Sequence, residues 1–121
     1  MQIIGARLPR SARLLTPAVF KRVFQRSKSS SDRFFTILSS PNELPQARLG
    51  MAIAKKNLKR AVDRNLVKRI VRESFRQHQR DLAGFDLVVL CRRDLPVKGK
   101  LALRRSLARH WKKVSVGFNE S

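Results

Sequence analysis

Residues 61–75, AVDRNLVKRIVRESF, decide how this chain is read. At about 100° per residue, Val62, Leu66, Ile70, Val67, Val71 and Phe75 share one broad arc, as in a helix lying on a core. Lys68, Arg72, Asn65, Arg76 and Arg69 follow one another around the opposite arc. An ordinary solvated helix mixes signs and sets Glu four residues before Lys; here only Glu73 interrupts the cations. From Lys55 to Arg76, nine Lys or Arg stand against two acids, Asp63 and Glu73, a local balance of +7. A helix turns that run into a rigid stripe of positive potential, and charges so crowded repel one another unless an anion meets them.

The rest of the chain cannot supply that anion. Its 121 residues include 28 Lys and Arg against 8 Asp and Glu, a formal net charge of +20 and a pI near 11.9. With 42% hydrophobic residues it can bury a core, and its length suits one domain. Nucleic acid is the expected partner rather than membrane, because no apolar run approaches the roughly 20 residues of a spanning helix. MQIIGARLPRSARL at the N-terminus lacks an apolar core and a small-residue cleavage site, so a cytoplasmic location is expected. Cys91 stands alone, which excludes a disulfide framework and a cysteine-based zinc cluster. Following Val88, Val89 and Leu90, it reads as a buried thiol in a strand.

Working outward, the basic helix spans roughly 60–79 and ends before Gly84. FDLVVLC, 85–91, is a short buried strand, RRDLPVKGK a loop, and 100–114 a third helix with Leu103, Leu107, Trp111 and Val114 inward. Upstream, LLTPAVFKRVF forms a first helix with Thr16 as N-cap, Pro17 in its first position and Leu15 stapled onto Phe20. Val19, Phe20, Val23 and Phe24 make its apolar stripe. RFFTILSS, 33–40, and ARLGMAIA, 47–54, flank the turn residues PNELPQ and read as two antiparallel strands of one sheet. In the second, Leu49, Met51 and Ile53 alternate with Arg48, Gly50 and Ala52. SKSSSD, 27–32, is expected to be a loop or a frayed strand. The order α, β, β, α, β, α gives an α+β fold, three helices packed on a small mixed sheet. Residues 1–13 form a flexible basic arm, 14–114 one domain and 115–121 a tail.

No protein active site is expected, catalytic or metal-binding. Asp63 and Glu73 lie too far apart around their helix to act as a carboxylate pair, and His78 and His110 have no ligand-spaced partners. The rings of Phe20, Phe24, Phe34 and Phe35 are either core or, beside a basic groove, platforms on which single-stranded bases stack. Asn65, neutral among cations, suits a sugar hydroxyl or a base edge.

The ordered set Arg64-Asn65, Lys68-Arg69 and Arg72-Glu73 resembles the basic helix of the bacterial ribonuclease P protein subunit. LLTPAVFKRVF resembles that family's opening helix, RLGMAIAKKNLKRAV its strand entering the basic helix and FDLVVLCRRDL its late strand, so the resemblance covers residues 13–114. SKSSSD is more polar than the strand this family has there. The resemblance implies a fold like the second domain of ribosomal protein S5, with a left-handed βαβ crossover, an exception to the usual hand. It implies that a catalytic RNA, with Mg²⁺ bound mainly by that RNA, removes the 5′ leader from precursor tRNA, while the protein assists without an obligate protein partner. It assigns Lys55, Lys56, Arg64, Asn65, Lys68, Arg69 and Arg72 to the catalytic RNA. Phe20, Phe24 and Phe35, with Arg22 and Arg33, would line a leader-binding cleft between the first helix and the sheet. Composition alone would favour a ribosomal or other structural RNA-binding protein; the order of elements and the Arg-Asn helix discriminate against it. A nuclease with its own site would need clustered carboxylates or His, and a DNA-binding module a helix-turn-helix or dimerisation heptad.

Overall fold

The computed structural model describes residues 12–13, 17–93 and 95–116. They form α1 (Pro17–Arg26), β1 (Lys28–Ser31), β2 (Phe35–Pro41), β3 (Arg48–Ala52), α2 (Ala61–Gln77), β4 (Phe85–Cys91) and α3 (Lys100–Ser115). The four strands make one mixed sheet in the order β1-β2-β4-β3. β2 and β3 do run antiparallel in one sheet, but they are not neighbours. β4 lies between them, antiparallel to β2 from Phe35↔Cys91 to Pro41↔Phe85, and parallel to β3 from Arg48↔Asp86 to Ala52↔Leu90. The reason is in FDLVVLC, which is apolar on both faces and so belongs in the centre of a sheet. A parallel pair cannot be joined by a tight turn, and α2 supplies the crossover from β3 to β4.

Alternation along the strands sorts the core into two sides. Phe35, Ile37, Leu49, Leu87 and Val89 join the larger cluster, with Val67, Ile70, Val71 and Phe75 of α2 and Leu103, Leu107, Trp111 and Val114 of α3. Val88 faces the other way and packs with Val23 of α1; around this pair Val19, Phe20, Leu38, Ala52 and Leu90 are only half-buried. Two helices therefore cover one side thickly, and α1 covers the other thinly.

Local details depart from simple periodicity. Val62 is 60% exposed, because a six-residue arc is wider than the buried side of α2. Ser74 is buried instead, where its hydroxyl accepts a hydrogen bond from Trp111 Nε1 at 2.8 Å. Trp111 also meets Phe75 edge to face, with ring centroids 6.1 Å apart. Gly84 takes φ 91° in the turn from α2 into β4, a conformation L side chains rarely adopt. The N-cap Thr16 and its neighbour Leu15 lie outside the described residues. Ala12 is buried and Arg13 bridges to Leu49 along the edge of β3, so the end of the expected flexible arm is fixed to the sheet.

SKSSSD proves to contain a strand. Lys28–Ser31 pair antiparallel with β2, from Lys28↔Ser39 to Ser31↔Thr36. What holds so polar an edge strand is hydrogen bonding to α3. Ser30 turns inward and its hydroxyl meets His110 Nδ1 at 2.7 Å. His110 Nε2 lies 3.2 Å from Asp32 Oδ2 but off hydrogen-bond alignment, and the direction of the Ser30–Nδ1 bond follows the tautomer of the ring. Asp32 Oδ1 accepts the amides of Phe34 and Phe35, and Oδ2 accepts the Ser106 hydroxyl.

This clasp predicts acid sensitivity. Burial alone would raise the Asp32 carboxyl, but Ser106, the two amides and His110 outweigh it and hold it at about 2, against an ordinary 3.8. Burial lowers His110 below its ordinary 6.5, despite the pull of Asp32. In both cases the unfolded chain binds the proton more readily, so stability falls as pH drops: below 6.5 for His110, and from 3.8 toward about 2 for Asp32. Thermal melting should therefore show a declining midpoint as pH is lowered from about 7 to about 5. His110→Gln should start lower at neutral pH and lose that slope; an unchanged slope would mean that His110 is not its source.

Candidate nucleic-acid interface

The basic arc of α2 faces away from the core. Asn65 and Arg69 are exposed, Lys68 and Arg72 half-buried, and Lys55 and Lys56 exposed in the turn that leads from β3 into the helix. That turn is anchored by Asn57, whose Nδ2 donates to the Cys91 carbonyl at 3.0 Å, so Lys55 and Lys56 sit on a fixed backbone. Arg64 does a different job from its neighbours. Its Nη1 donates to the carbonyls of Leu58 and Lys59, at 2.9 and 2.7 Å, fixing the entry to a helix whose N-cap, Arg60, makes no side-chain cap bond. The two acids do not neutralise the arc: Asp63 lies 3.9 Å from Arg60, and Glu73 leans toward α3, 4.0 Å from Arg104. The helix thus presents one sign of charge on one side.

The α1 side of the sheet is laid out by strand register. Ser29, Leu38, Val88 and Gly50 form one row across it, and Ser31, Thr36, Leu90 and Ala52 the next. Over these rows Phe20 is half-buried, while Phe24 is 48% exposed. Phe35 must be removed from this surface. It is fully buried on the opposite side among the residues of α2 and α3, because alternation from Thr36 and Leu38 turns it away from α1. Phe34 is buried in the same cluster, under the Arg33 guanidinium, 5.3 Å from the ring centroid. Arg33 is thus an exposed residue of the β1–β2 turn, and Arg22 an exposed residue of α1 whose Nη2 reaches the Pro41 carbonyl at 3.5 Å.

Two polar groups escaped sequence reasoning. Arg48 grips Asp86 with two parallel bonds, Nε to Oδ1 and Nη2 to Oδ2, both 2.7 Å, and Asn42 Nδ2 adds a third at 3.0 Å. This cluster locks β3 to β4 at one end of the α1 side; its only sequence signal is an Asp inside FDLVVLC. The Ser30, His110 and Asp32 clasp spans 80 residues and could be found only once β1 was placed beside α3.

Among the described residues, no group of three or more His, Cys, Asp or Glu could hold a metal ion, so these side chains do not fit a Mg²⁺ site. No described helix is long and apolar enough to cross a membrane. Burial raises the Cys91 thiol, the reverse of what a nucleophile needs.

Comparison with known proteins agrees with this geometry. The Ribonuclease P family model matches residues 8–115. The ribonuclease P protein component of Thioalkalivibrio sulfidiphilus is 47% identical over 108 residues, covering 89% of this chain and 90% of that one. That of Photorhabdus laumondii is 47% identical over 105 residues, covering 87% and 88%. Among solved structures, the Staphylococcus aureus RNase P protein superposes with a TM-score of 0.75 at 32% identity, covering 89% of this chain and 98% of that one.

Proposed function

The chain belongs to the ribonuclease P protein family, the protein component of a ribonucleoprotein endoribonuclease that processes tRNA, and from that premise we propose how its surfaces divide the work. The basic arc of α2, with Lys55 and Lys56, docks the catalytic RNA through Lys68, Arg69 and Arg72. Arg64 acts there chiefly by fixing the helix entry, and Asn65 meets a sugar hydroxyl or base edge. The α1 side receives the single-stranded 5′ leader of precursor tRNA, with Phe24 as the exposed stacking ring, Phe20 beneath it and Arg22 and Arg33 at the margins. The observation that carries this division is the pairing of a one-sign helix face with a half-exposed aromatic ring on a thinly covered sheet.

The bond cleavage belongs to the RNA, and we place Mg²⁺ there too, since the described residues offer no donor cluster for it. What the protein contributes is charge. Cations on α2 neutralise phosphates, so less Mg²⁺ is needed to bring two RNAs together. Leader binding favours precursor over mature tRNA because the product has lost that strand. We place this work in the cytoplasm, without an obligate protein partner.

Precursor-tRNA cleavage at low Mg²⁺ tests the proposal with protein alone, catalytic RNA alone and both together. Stimulation of the RNA, with no cleavage by the protein alone, is expected; either opposite result ends it. Phe24→Ala should reduce the preference for precursor over mature tRNA by the worth of one stacked base, about 1–3 kcal/mol, with little change in melting temperature. The same preference in the variant would remove Phe24 from the leader site.

A further inference from the structure

Residues 92–113 carry nine Lys and Arg against one acid, Asp94, as dense a block as that around α2, and no surface described so far uses it. Six of the nine stand exposed on α3: Lys100, Arg104, Arg105, Arg109, Lys112 and Lys113. The helix, KLALRRSLARHWKKVS, contains no acid. Glu73 lies 4.0 Å from Arg104 and Asp32 lies 3.7 Å from Arg109, but Lys100, Arg105, Lys112 and Lys113 have no ion pair among the described residues.

Helical spacing places Arg105, Arg109 and Lys112 within about 60° of one another, opposite the buried arc of Leu103, Leu107 and Val114. Such neighbours, three and four residues apart, repel and weaken an isolated helix. A face needed only for solubility would mix signs. The stripe is also separate from that of α2. The two helices meet along a seam closed by Trp111 with Ser74 and by Arg104 with Glu73, and each basic arc points away from it.

We propose that the outer face of α3 is a second docking surface for the sugar–phosphate backbone of RNA, holding a segment other than the one on α2. The inference rests on the chain being an RNA-binding subunit and deepens it. Guanidinium groups fork onto phosphate oxygens. The exposed arc has no Asn or Gln to read base edges, unlike the arc that holds Asn65, so it grips backbone and not sequence. A lipid surface fits poorly. The exposed apolar residues, Leu101 at 60% and Val116 at 51%, stand at opposite ends of the helix with cations between them, whereas an interfacial helix needs a continuous apolar face.

The test uses the full chain with Arg105→Gln, Arg109→Gln and Lys112→Gln combined, titrated against the catalytic RNA over a KCl series and footprinted with hydroxyl radicals beside Arg69→Gln. If all three cations meet phosphates, the slope of log affinity against log salt becomes shallower by about 2–3. Protection is lost at nucleotides that Arg69→Gln still covers. A slope change seen only with precursor tRNA on the assembled enzyme also supports the surface and identifies the substrate as its RNA. Unchanged slopes with both RNAs, loss at the same nucleotides as Arg69→Gln, or an effect confined to phosphatidylserine vesicles overturns the proposal. Arg105→Lys with Arg109→Lys keeps the charge and should keep the slope. Should the triple variant melt early, Arg105→Gln and Lys112→Gln are read singly, each expected to change the slope by about 0.7–0.9. Wild-type protein that fails to bind either RNA would refute the family-based function, a result distinct from failure of the α3 surface alone.

Discussion

Raising monovalent salt from about 50 to about 200 mM is expected to weaken the complex of this protein with its catalytic RNA by about 10³- to 10⁵-fold, the response of six to ten phosphate contacts. The exposed cations of α2 and of the turn before it, Lys55, Lys56, Lys59 and Arg69 among them, supply the first half of that number, while Asp63 and Glu73 pair with Arg60 and Arg104. Filter binding across the salt range measures it directly. A loss of less than about tenfold would mean that the charge faces solvent and that binding rests on other contacts. Within the series, Arg69→Ala should remove about one contact from the slope, because its side chain is exposed. Arg64→Ala should instead lower thermal stability as well as affinity, since its guanidinium holds two carbonyls at the helix entry.

Trp111→Ala should be the most destabilising single substitution among those considered, by about 3–5 kcal/mol. The indole is almost wholly buried where α2, α3 and the sheet converge, and its removal leaves a cavity, an unopposed Phe75 ring and an unpartnered Ser74 hydroxyl. In a domain of this size that loss lowers the melting midpoint by more than about 10 °C. Trp111→Phe keeps the ring contact but still strands Ser74, and should cost less, about 1–3 kcal/mol. Equal effects of the two variants would show that the hydrogen bond matters more than the volume.

Where each side chain's fate depends on its own helix or strand, the sequence was sufficient. Leu103, Leu107, Trp111 and Val114 recur at helical spacing and are all buried, and FDLVVLC is the strand it reads as. The placement of the Arg-Asn helix was equally open: its apolar arc puts Val67, Ile70, Val71 and Phe75 in the core and leaves Asn65 and Arg69 exposed. What was not legible depended on neighbours distant in the chain. SKSSSD is a strand only because His110 and Ser106 await it. Phe35 looked like a companion of Phe20 and Phe24, and strand parity sends it to the other side of the sheet. β2 and β3 are the antiparallel strands of one sheet that they read as, but nothing in either says that a third will come between them.

That intervening strand governs how the molecule is born. β4 is the sixth of seven elements, and both sheet halves wait for it. Before residues 85–91 are made, β3 has, among the described residues, the bridge from Arg13 as its strand contact, and α2 has no completed sheet to lie on. Folding is therefore gated by contacts distant in sequence, which form late and together. During synthesis the basic helix α2 emerges without its support, in a cell filled with RNA, and the closing of β4 converts a loose polycation into a surface with a defined shape.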